Sequence, residues 1–257
     1  MSLTVVMVGA GNVATHISKR LASQGFEILQ VFSRTEESAR LLADGLSTEW
    51  TTDPDMLNQE ADFYFLALKD SVLADFLDQS GLKDKLLLHC SGSLNISILA
   101  PFSNNYGVIY PLQTFSKSRD VNLAEIPVFI ESSDAVTEME ILRIAESISN
   151  CVRVATSGQR MQLHMAAVFG CNFVNHMYAV AEGILEKSGF GFEYLETLIR
   201  ETFEKALTLN PKEAQTGPAV RNDRNIVEKH LQSLEYDASL RLLYERISQH
   251  ISTFHKK

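Results

Sequence analysis

The chain has 257 residues, and 32 acidic against 23 basic residues give it a formal net charge of −9. A surface this acidic repels nucleic-acid phosphates and anionic lipid headgroups, so neither nucleic acid nor a membrane is an expected partner. The length is sufficient for two domains, because single domains commonly span about 100 to 200 residues.

The first half of the chain alternates apolar runs of strand length with segments of helical periodicity. Residues 3–8 are almost continuously apolar, as in a parallel strand covered on both faces, and apolar positions recur at helical spacing over residues 13–24. The alternation continues with predicted strands at 26–32, 62–68, 85–90, 106–110, 128–131 and 152–155, and with predicted helices at 36–43, 71–79 and 135–149. Such alternation favours a doubly wound, parallel α/β sheet, which we place in a domain of residues 1–157.

The second half is helical almost throughout, which predicts an all-α domain over residues 158–257. Its predicted helices span 159–187, 192–209, 225–234 and 238–254. Residues 161–181 contain no charged side chain and approach the length of a membrane span. Their amide and imidazole groups would be costly in lipid, so we interpret the segment as a buried central helix.

A glycine-rich turn follows the first predicted strand. The residues Gly9-Ala10-Gly11-Asn12-Val13-Ala14 match G-x-G-x-x-G/A between a strand and a helix, the context that a dinucleotide site requires. Gly9 allows the tight turn, Gly11 lets a diphosphate approach the backbone, and Ala14 permits close packing of the helix on the strand. The N–H groups of the first helical turn then bind the diphosphate, and the motif predicts a Rossmann-type site at Gly9, Ala10, Gly11, Asn12 and Val13. The alternative is a purely structural glycine turn.

The end of the second predicted strand indicates which nucleotide binds. An NAD site usually has Asp or Glu there for the ribose hydroxyl, whereas this chain has Ser33-Arg34-Thr35. The Arg34 guanidinium is suited to pairing with a 2'-phosphate, and the two hydroxyl groups can donate to the same phosphate. We therefore expect NADP(H) as the cofactor. The alternative is that Ser33 and Glu36 form a capping box for the next helix.

Two further segments lie at the carboxyl ends of predicted strands, where open α/β sheets bind their ligands. Leu68, Lys69 and Asp70 follow one strand, and Ser91 and Gly92 follow another. We expect these five residues to line the nicotinamide half of the cofactor site, although Lys69 and Asp70 are equally consistent with a solvated turn. His89, inside the strand end, is interpreted as a packed histidine and not as a catalytic one.

A resemblance to known proteins adds to this interpretation. From the glycine turn through residues 33–35 and 67–70, the first half resembles the pyrroline-5-carboxylate reductase and deazaflavin-dependent NADP oxidoreductase group. The whole chain resembles an uncharacterised family of NADP oxidoreductases, which couples a Rossmann-like domain to a helical domain of unknown function similar to the C-terminal region of 6-phosphogluconate dehydrogenase. The segments that carry this resemblance are Tyr110–Phe115, His164–Asn172 and Gln215–Asp223. It implies the family's architecture, and it leaves the substrate unnamed.

The long helix of the second half carries a polar stripe. At 100° per residue, Arg160, His164, Asn172 and Asn175 fall within about 120° of one another. These side chains could meet a substrate over the nicotinamide, with His164 as proton donor or acceptor because an imidazole can serve as either near neutral pH. The alternative is a buried helix that hydrogen-bonds its polar residues to neighbouring loops. His176 lies off the stripe and is expected to be structural.

The loop of residues 215–223 supplies one further candidate, Thr216. This loop contains two helix breakers and could close over the cofactor or reach a partner subunit. The alternative is a connecting turn in which Arg221 and Asp223 form an ion pair. The catalytic candidates are therefore His164, Asn172, Asn175 and Thr216.

The three cysteines form no C-x-x-C pair, and the chain enters an apolar strand without a preceding basic region. We therefore expect a cytoplasmic protein without a signal peptide, and we predict no metal site. The favoured function is NADP-dependent hydride transfer between the nicotinamide and a small carbonyl, imine or hydroxy compound. The alternative is a catalytically silent NADP-binding sensor or scaffold, since no Tyr-x-x-x-Lys dyad is present. A methyltransferase is disfavoured because Arg34 stands where its ribose-binding acid belongs. The resembling proteins imply a homodimer through the helical domain.

Overall fold

The computed structural model describes residues 2–255. The chain divides into two compact units, one that extends to His176 and one that begins at Met177. The predicted division at residue 157 falls inside the first unit, and the assignment of a nucleotide domain before it and a substrate domain after it stays a prediction.

The first unit is built on one eight-stranded sheet. Its strands are β1 (Thr4–Val8), β2 (Glu27–Phe32), β3 (Glu49–Thr51), β4 (Phe63–Leu66), β5 (Leu86–His89), β6 (Tyr106–Pro111), β7 (Val128–Ser132) and β8 (Val152–Val154). They lie in the order β3-β2-β1-β4-β5-β6-β7-β8, and all neighbours are parallel except β6 and β7. The predicted doubly wound α/β fold is confirmed. The order reverses at β1, so the carboxyl ends of β1 and β4 open onto the crevice in which such folds bind ligands.

Helices cover both faces of this sheet. They are α1 (Asn12–Ser23), α2 (Glu36–Leu46), α3 (Leu73–Ser80) and α4 (Ala135–Ile148). Alternate residues of β1 enter different cores, because Val5 belongs to the same core cluster as Ile17 of α1 whereas Val6 belongs to the cluster that includes Leu77 of α3. A strand buried on both faces has no polar side, which is why residues 3–8 show no alternation in the sequence.

Strand β3 was not predicted from the sequence. It has three residues, and it pairs only at the edge of the sheet, where Gln30 lies opposite Glu49 and Val31 opposite Trp50. A strand this short offers too few positions to establish a period of two, so its position depends on pairing with β2.

The helix predicted over residues 159–187 is interrupted. It consists of α5 (Ser157–Ala167), a π-helical segment (Val168–Phe173) and α6 (Val174–Glu186). Thr156 and Gln159 form a capping box at the start of α5. A π-helical turn holds more residues than an α-helical turn, so a projection at 100° per residue does not hold beyond residue 168.

The apolar face of this helix is exposed within the chain. Met161, Met165, Phe169 and Phe173 are 41%, 47%, 64% and 49% exposed, respectively. The interpretation of residues 161–181 as a buried helix is therefore wrong for a single chain. No helix among residues 2–255 is long and apolar enough to cross a membrane.

Up to residue 255, the second unit contains α-helices and one short 3-10 helix (Phe192–Leu195) as its regular elements. Besides the end of α6, the α-helices are α7 (Glu196–Thr208), α8 (Pro211–Ala214), α9 (Arg224–Ser233) and α10 (Ala238–Phe254). Leu234, which follows α9, is its only buried hydrophobic residue among those the structure describes. Asp223 accepts a hydrogen bond from the Ile226 N–H and caps α9. The proposed pairing of Asp223 with Arg221 is not formed.

Candidate functional site

The glycine turn connects β1 to α1 in a conformation that requires glycine. Gly9 has φ +115°, and a β-carbon there would overlap the carbonyl oxygen of Ala67. Gly11 is the N-cap of α1 and provides no side-chain cap, and the first turn contains no acidic residue. A β-carbon on Gly11 would meet no neighbour within 4 Å. The first turn of α1 therefore has neither a side-chain cap nor a competing carboxylate of its own, which fits the diphosphate of a dinucleotide.

A cavity of about 870 Å³ lies beside this turn. It includes residues that follow the carboxyl ends of β4 and β5, together with the end of β6 and one face of α5. The predicted site residues that line it are Gly11, Asn12, Val13, Leu68, Lys69, Asp70, Ser91, Gly92, His164 and Asn172. Tertiary folding thus brings residues from most of the first unit into one site.

Other predicted residues lie elsewhere. Ser33, Arg34 and Thr35 follow β2 and do not line this cavity, and Arg34 is exposed. Thr35 is the N-cap residue of α2 but makes no side-chain capping hydrogen bond, so the alternative capping box of Ser33 and Glu36 is not formed. The roles of these three residues in nucleotide binding stay predictions.

Two of the four catalytic candidates are not among the cavity-lining residues. Asn175 is exposed on α6, beyond the π-helical segment. Thr216 belongs to the second unit, where it is exposed between α8 and α9. Gly9 and Ala10 also lie outside the lining, although Gly9 shapes the turn. The polar stripe is therefore reduced to His164 and Asn172 at this cavity.

Arg160 does not face a substrate. Its side chain is fully buried and paired with the carboxylate of Glu131. The guanidinium also donates to the carbonyl oxygens of Ser91 and Leu94 and to the Ser157 hydroxyl. Burial alone would raise the pKa of Glu131, but hydrogen bonds from Arg160 and Ser157 bring it below its ordinary value. Arg160 therefore fixes α5 against the turn after β5, and its inclusion in a substrate-facing stripe is wrong.

The turn after β5 is organised around a carboxylate. The Ser91 hydroxyl donates to Asp70 at 3.0 Å, and the Ser93 hydroxyl donates to the same oxygen of Asp70. The carboxylate of Asp70 thus links the segments that follow β4 and β5 through hydrogen bonds. The alternative of a merely solvated turn at Lys69 and Asp70 does not describe Asp70.

His89 is packed within the sheet, as the sequence interpretation stated. It is buried, its Nδ1 accepts the Ser91 N–H at 3.1 Å, and its Nε2 has no partner among the described residues. Burial, followed by the positive charge of Arg160, lowers its pKa to about 4, so the ring is neutral at pH 7. Burial raises the pKa of the adjacent Cys90 thiol to about 12, so this cavity-lining cysteine is not a thiolate.

The sequence interpretation missed the contact between His164 and Tyr110. The Tyr110 hydroxyl lies 3.2 Å from Nδ1 of His164, and both side chains line the cavity. A β-carbon on Gly92 would lie 2.8 Å from atoms of both rings. Gly92 therefore allows the two rings to approach the strand end. Tyr110 opens one of the family-like segments, and that resemblance was the only signal for it in the sequence.

The rest of that segment lies over the start of α1. Asn12 donates through its side chain to the Phe115 carbonyl oxygen at 2.9 Å, and Nε2 of His16 lies 3.0 Å from the Ser116 carbonyl oxygen. Gln113 and Thr114 line the cavity. Asn12 is thus positioned through contacts some hundred residues away in sequence, which no local pattern indicates.

Comparisons with known proteins agree with this architecture. Residues 4–93 match the family described as NADP oxidoreductase coenzyme F420-dependent, and residues 126–251 match a domain of unknown function, DUF2520. No match was found among curated proteins. The fold, the glycine turn and the first match define the class: an oxidoreductase-like, NAD(P)-binding protein.

Solved structures identify the family. The crystal structure of a "putative NADP oxidoreductase" from Bacteroides fragilis is 44% identical, each chain covers 98% of the other, and the TM-score is 0.93. The chain therefore belongs to the family in which such a nucleotide-binding domain precedes DUF2520, and the resemblance stated from the sequence is confirmed.

More distant structures share the fold. Pyrroline-5-carboxylate reductase from Streptococcus pyogenes is 13% identical over 98% of this chain and 99% of its own, with a TM-score of 0.63. An imine reductase from Myxococcus stipitatus in complex with NADP+ is 15% identical over 97% of this chain and 92% of its own, with a TM-score of 0.64. At these identities the likeness shows the fold alone.

Proposed function

We propose that the protein is an NADP-dependent oxidoreductase that transfers hydride between the nicotinamide and a small carbonyl, imine or hydroxy compound. The observation that carries the proposal is that one cavity joins the uncapped N-terminus of α1 to the imidazole of His164. The first feature suits a diphosphate, and the second supplies a proton-exchanging group within the same space. The descriptions of the matched family and of the 44%-identical protein both name NADP, which supports this choice.

The start of α1 would hold the diphosphate. Gly11, Asn12 and Val13 line the cavity, and the helix dipole adds a partial positive charge at this end. The Asn12 amide directs one of its two N–H groups to the Phe115 carbonyl oxygen, so the backbone N–H groups and the second amide N–H are the donors that remain there. Gly9 lets the turn pack closely against the backbone carbonyl of Ala67, which follows β4.

Arg34 would select NADP over NAD. It is exposed immediately after β2, and neither Ser33 nor Thr35 is acidic. A guanidinium pairs with a phosphate through two parallel hydrogen bonds, whereas a ribose hydroxyl offers no charge to it. We place the 2'-phosphate beside Arg34, with Ser33 and Thr35 as further donors.

The nicotinamide supplies the hydride when the cofactor is bound. Residues 68–70 and 91–92 would then border the nicotinamide half, with Asp70 held by Ser91. His164 and Asn172 would hydrogen-bond the oxygen or nitrogen of the substrate, and His164 would exchange its proton. Asn175 and Thr216 remain predicted contributors that the cavity does not include.

Calorimetric titration with NADPH and NADH tests the nucleotide assignment. Arg34→Ala removes the proposed charged hydrogen bond to the 2'-phosphate. It should therefore weaken NADPH binding about tenfold to hundredfold and leave NADH binding nearly unchanged. Arg200→Ala removes an exposed arginine from α7 and serves as the matched control. If Arg34→Ala weakened both nucleotides equally, the assignment of the 2'-phosphate would be wrong.

Oxidation of NADPH with a panel of small carbonyls and imines tests the reaction. We expect turnover with at least one of them, and we expect His164→Ala to reduce kcat by about a hundredfold or more, the usual contribution of a general acid or base. NADPH binding with no turnover across the panel would favour the alternative, a nucleotide-binding sensor or scaffold.

We also propose that the protein is a homodimer through its helical segments. The exposed Met161, Met165, Phe169 and Phe173 recur along one helix, and the second unit has almost no core of its own. A unit of about 80 residues with so little burial would be stabilised by apolar surface from another chain, which supports the proposal. A second copy presents the same apolar face, which is the requirement for a symmetric interface.

Light scattering on a sizing column tests the dimer. The wild-type mass should be twice that of one chain, and Phe169→Glu should shift it to the mass of a monomer or an unfolded chain. Leu41→Glu, at an exposed leucine of α2, is the control and should leave the mass unchanged. A folded wild-type monomer at micromolar concentration would refute the interface.

A further inference from the structure

The contact between Tyr110 and His164 determines more than the position of the imidazole. The hydroxyl lies 3.2 Å from Nδ1, and the two ring planes meet edge-on at 73°. Tyr110 comes from β6, His164 from α5, and Gly92 follows β5, where a β-carbon would clash with both rings. Three separate elements therefore set the orientation of the His164 ring.

The direction of this hydrogen bond follows from its partners. Tyr110 is only 8% exposed, and among residues 2–255 its hydroxyl has no acceptor other than Nδ1 of His164. Burial raises the pKa of Tyr110, so its hydroxyl keeps its proton at neutral pH. If Nδ1 donated to the tyrosine oxygen instead, the O–H of this largely buried residue would have no acceptor within the described chain, which is the less favourable arrangement. The protein's own groups therefore favour the arrangement in which the hydroxyl donates and Nδ1 accepts.

A neutral imidazole has one N–H group, so an accepting Nδ1 leaves the proton on Nε2. Nε2 of His164 has no hydrogen-bond partner within the described chain, and it is not an enclosed atom. Nε2 of His164 is therefore able to hydrogen-bond a ligand in the cavity that His164 lines. His89 provides the contrast, because its Nε2 is buried and cannot reach a ligand without a structural change.

We propose that Tyr110 is a positioning residue that fixes neutral His164 as the Nε2–H tautomer, so that the imidazole presents a hydrogen-bond donor to the substrate. The group that it recognises is an acceptor, either a carbonyl oxygen or an imine nitrogen. The use of the donor on a substrate rests on the proposed function, whereas the tautomer itself depends only on the contact with Tyr110. In the opposite tautomer, Nε2 would present a lone pair and would recognise a hydroxyl or ammonium group instead.

Nitrogen-15 NMR of histidine-labelled protein tests the tautomer without substrate. Two-bond proton–nitrogen correlations distinguish a protonated from an unprotonated ring nitrogen, and the signals of His164 are those lost in His164→Gln. At pH of about 8.5, where an ordinary imidazole is neutral, we expect a protonated Nε2 and an unprotonated Nδ1. Tyr110→Phe keeps the ring and removes the donor. It should shift the tautomer ratio roughly fivefold towards Nδ1–H, the ratio that one neutral hydrogen bond corresponds to.

The chain offers a matched control in its second unit, where the Tyr244 hydroxyl lies 2.7 Å from Nδ1 of His230. Tyr244→Phe should change the His230 signals and leave those of His164 in place. A wild-type His164 protonated on Nδ1, or nitrogen shifts unaffected by Tyr110→Phe in a folded variant, would overturn the proposal. NADPH affinity is measured on the same samples. If the wild-type protein did not bind NADPH, only the proposed function would be contradicted, because the tautomer measurement uses no nucleotide.

Discussion

Replacing Arg160 with methionine would test how the first unit holds its site together. Methionine fills a comparable volume but provides neither charge nor donor. In the wild type the fully buried guanidinium pairs with Glu131, donates to the Ser91 carbonyl oxygen at 3.0 Å and also reaches the Leu94 carbonyl oxygen. The substitution leaves a largely buried carboxylate and two carbonyl groups without this partner.

The expected loss of folding stability follows from the contacts that Arg160 makes. Breaking a buried ion pair by removing one partner costs about 3–5 kcal/mol, because the remaining charge stays in a poorly solvated position. Glu131 is 17% exposed and keeps two hydrogen bonds from Ser157, so we expect the lower end, about 3 kcal/mol. Arg160→Met combined with Glu131→Gln removes the uncompensated charge as well and should be less destabilised than Arg160→Met alone.

Urea denaturation measures this loss. Trp50, the only tryptophan, lies in β3 and reports on the first unit, and circular dichroism follows the helices. The control is Lys205→Met, which breaks a 3.8 Å pair with Glu201 whose two side chains are 45% and 59% exposed. That pair should contribute no more than about 0.5 kcal/mol. Equal losses for Arg160→Met and Lys205→Met would refute the structural role of the buried pair.

Three further predictions concern the glycines and His89. Gly92→Ala places a β-carbon 2.8 Å from atoms of the His164 and Tyr110 rings, so we expect reduced turnover, and unchanged kinetics would argue against the packing described. Gly9→Ala should destabilise by about 1–3 kcal/mol or more because of its positive φ and the overlap with a backbone carbonyl. Gly45→Ala, in open space within α2, should instead stabilise by about 0.5–1 kcal/mol, and similar unfolding midpoints for the two variants would contradict this. Burial lowers the pKa of His89 to about 4 in the folded protein, against about 6.5 in the unfolded chain. Between these two pH values the unfolded chain binds a proton that the folded protein does not, so the free energy of unfolding falls by up to roughly 3 kcal/mol as the pH drops from about 6.5 to about 4. His89→Asn should flatten this part of the stability profile, and a profile identical to that of the wild type would show that another group titrates.

The sequence by itself determined the features that depend on neighbours in the chain. The run at residues 3–8, the glycine turn and the helical spacing that follows gave the first strand, the turn and α1 within one or two residues. The alternation of strands and helices predicted the parallel sheet, which is correct for all neighbours except the antiparallel pair β6 and β7. These features can be predicted from the sequence because strand and helix periods are short, and because glycine at positions 9 and 11 meets local steric needs.

Tertiary structure decided which polar residues share a site. Arg160 and His164 lie one helical turn apart, yet one is enclosed by Glu131 and the other opens to the cavity. The π-helical segment ended the regular projection that had grouped Asn175 with them. Tyr110 reaches His164 across 54 positions of sequence. Local periodicity does not encode such contacts, because burial and partner choice depend on how distant strands and helices pack.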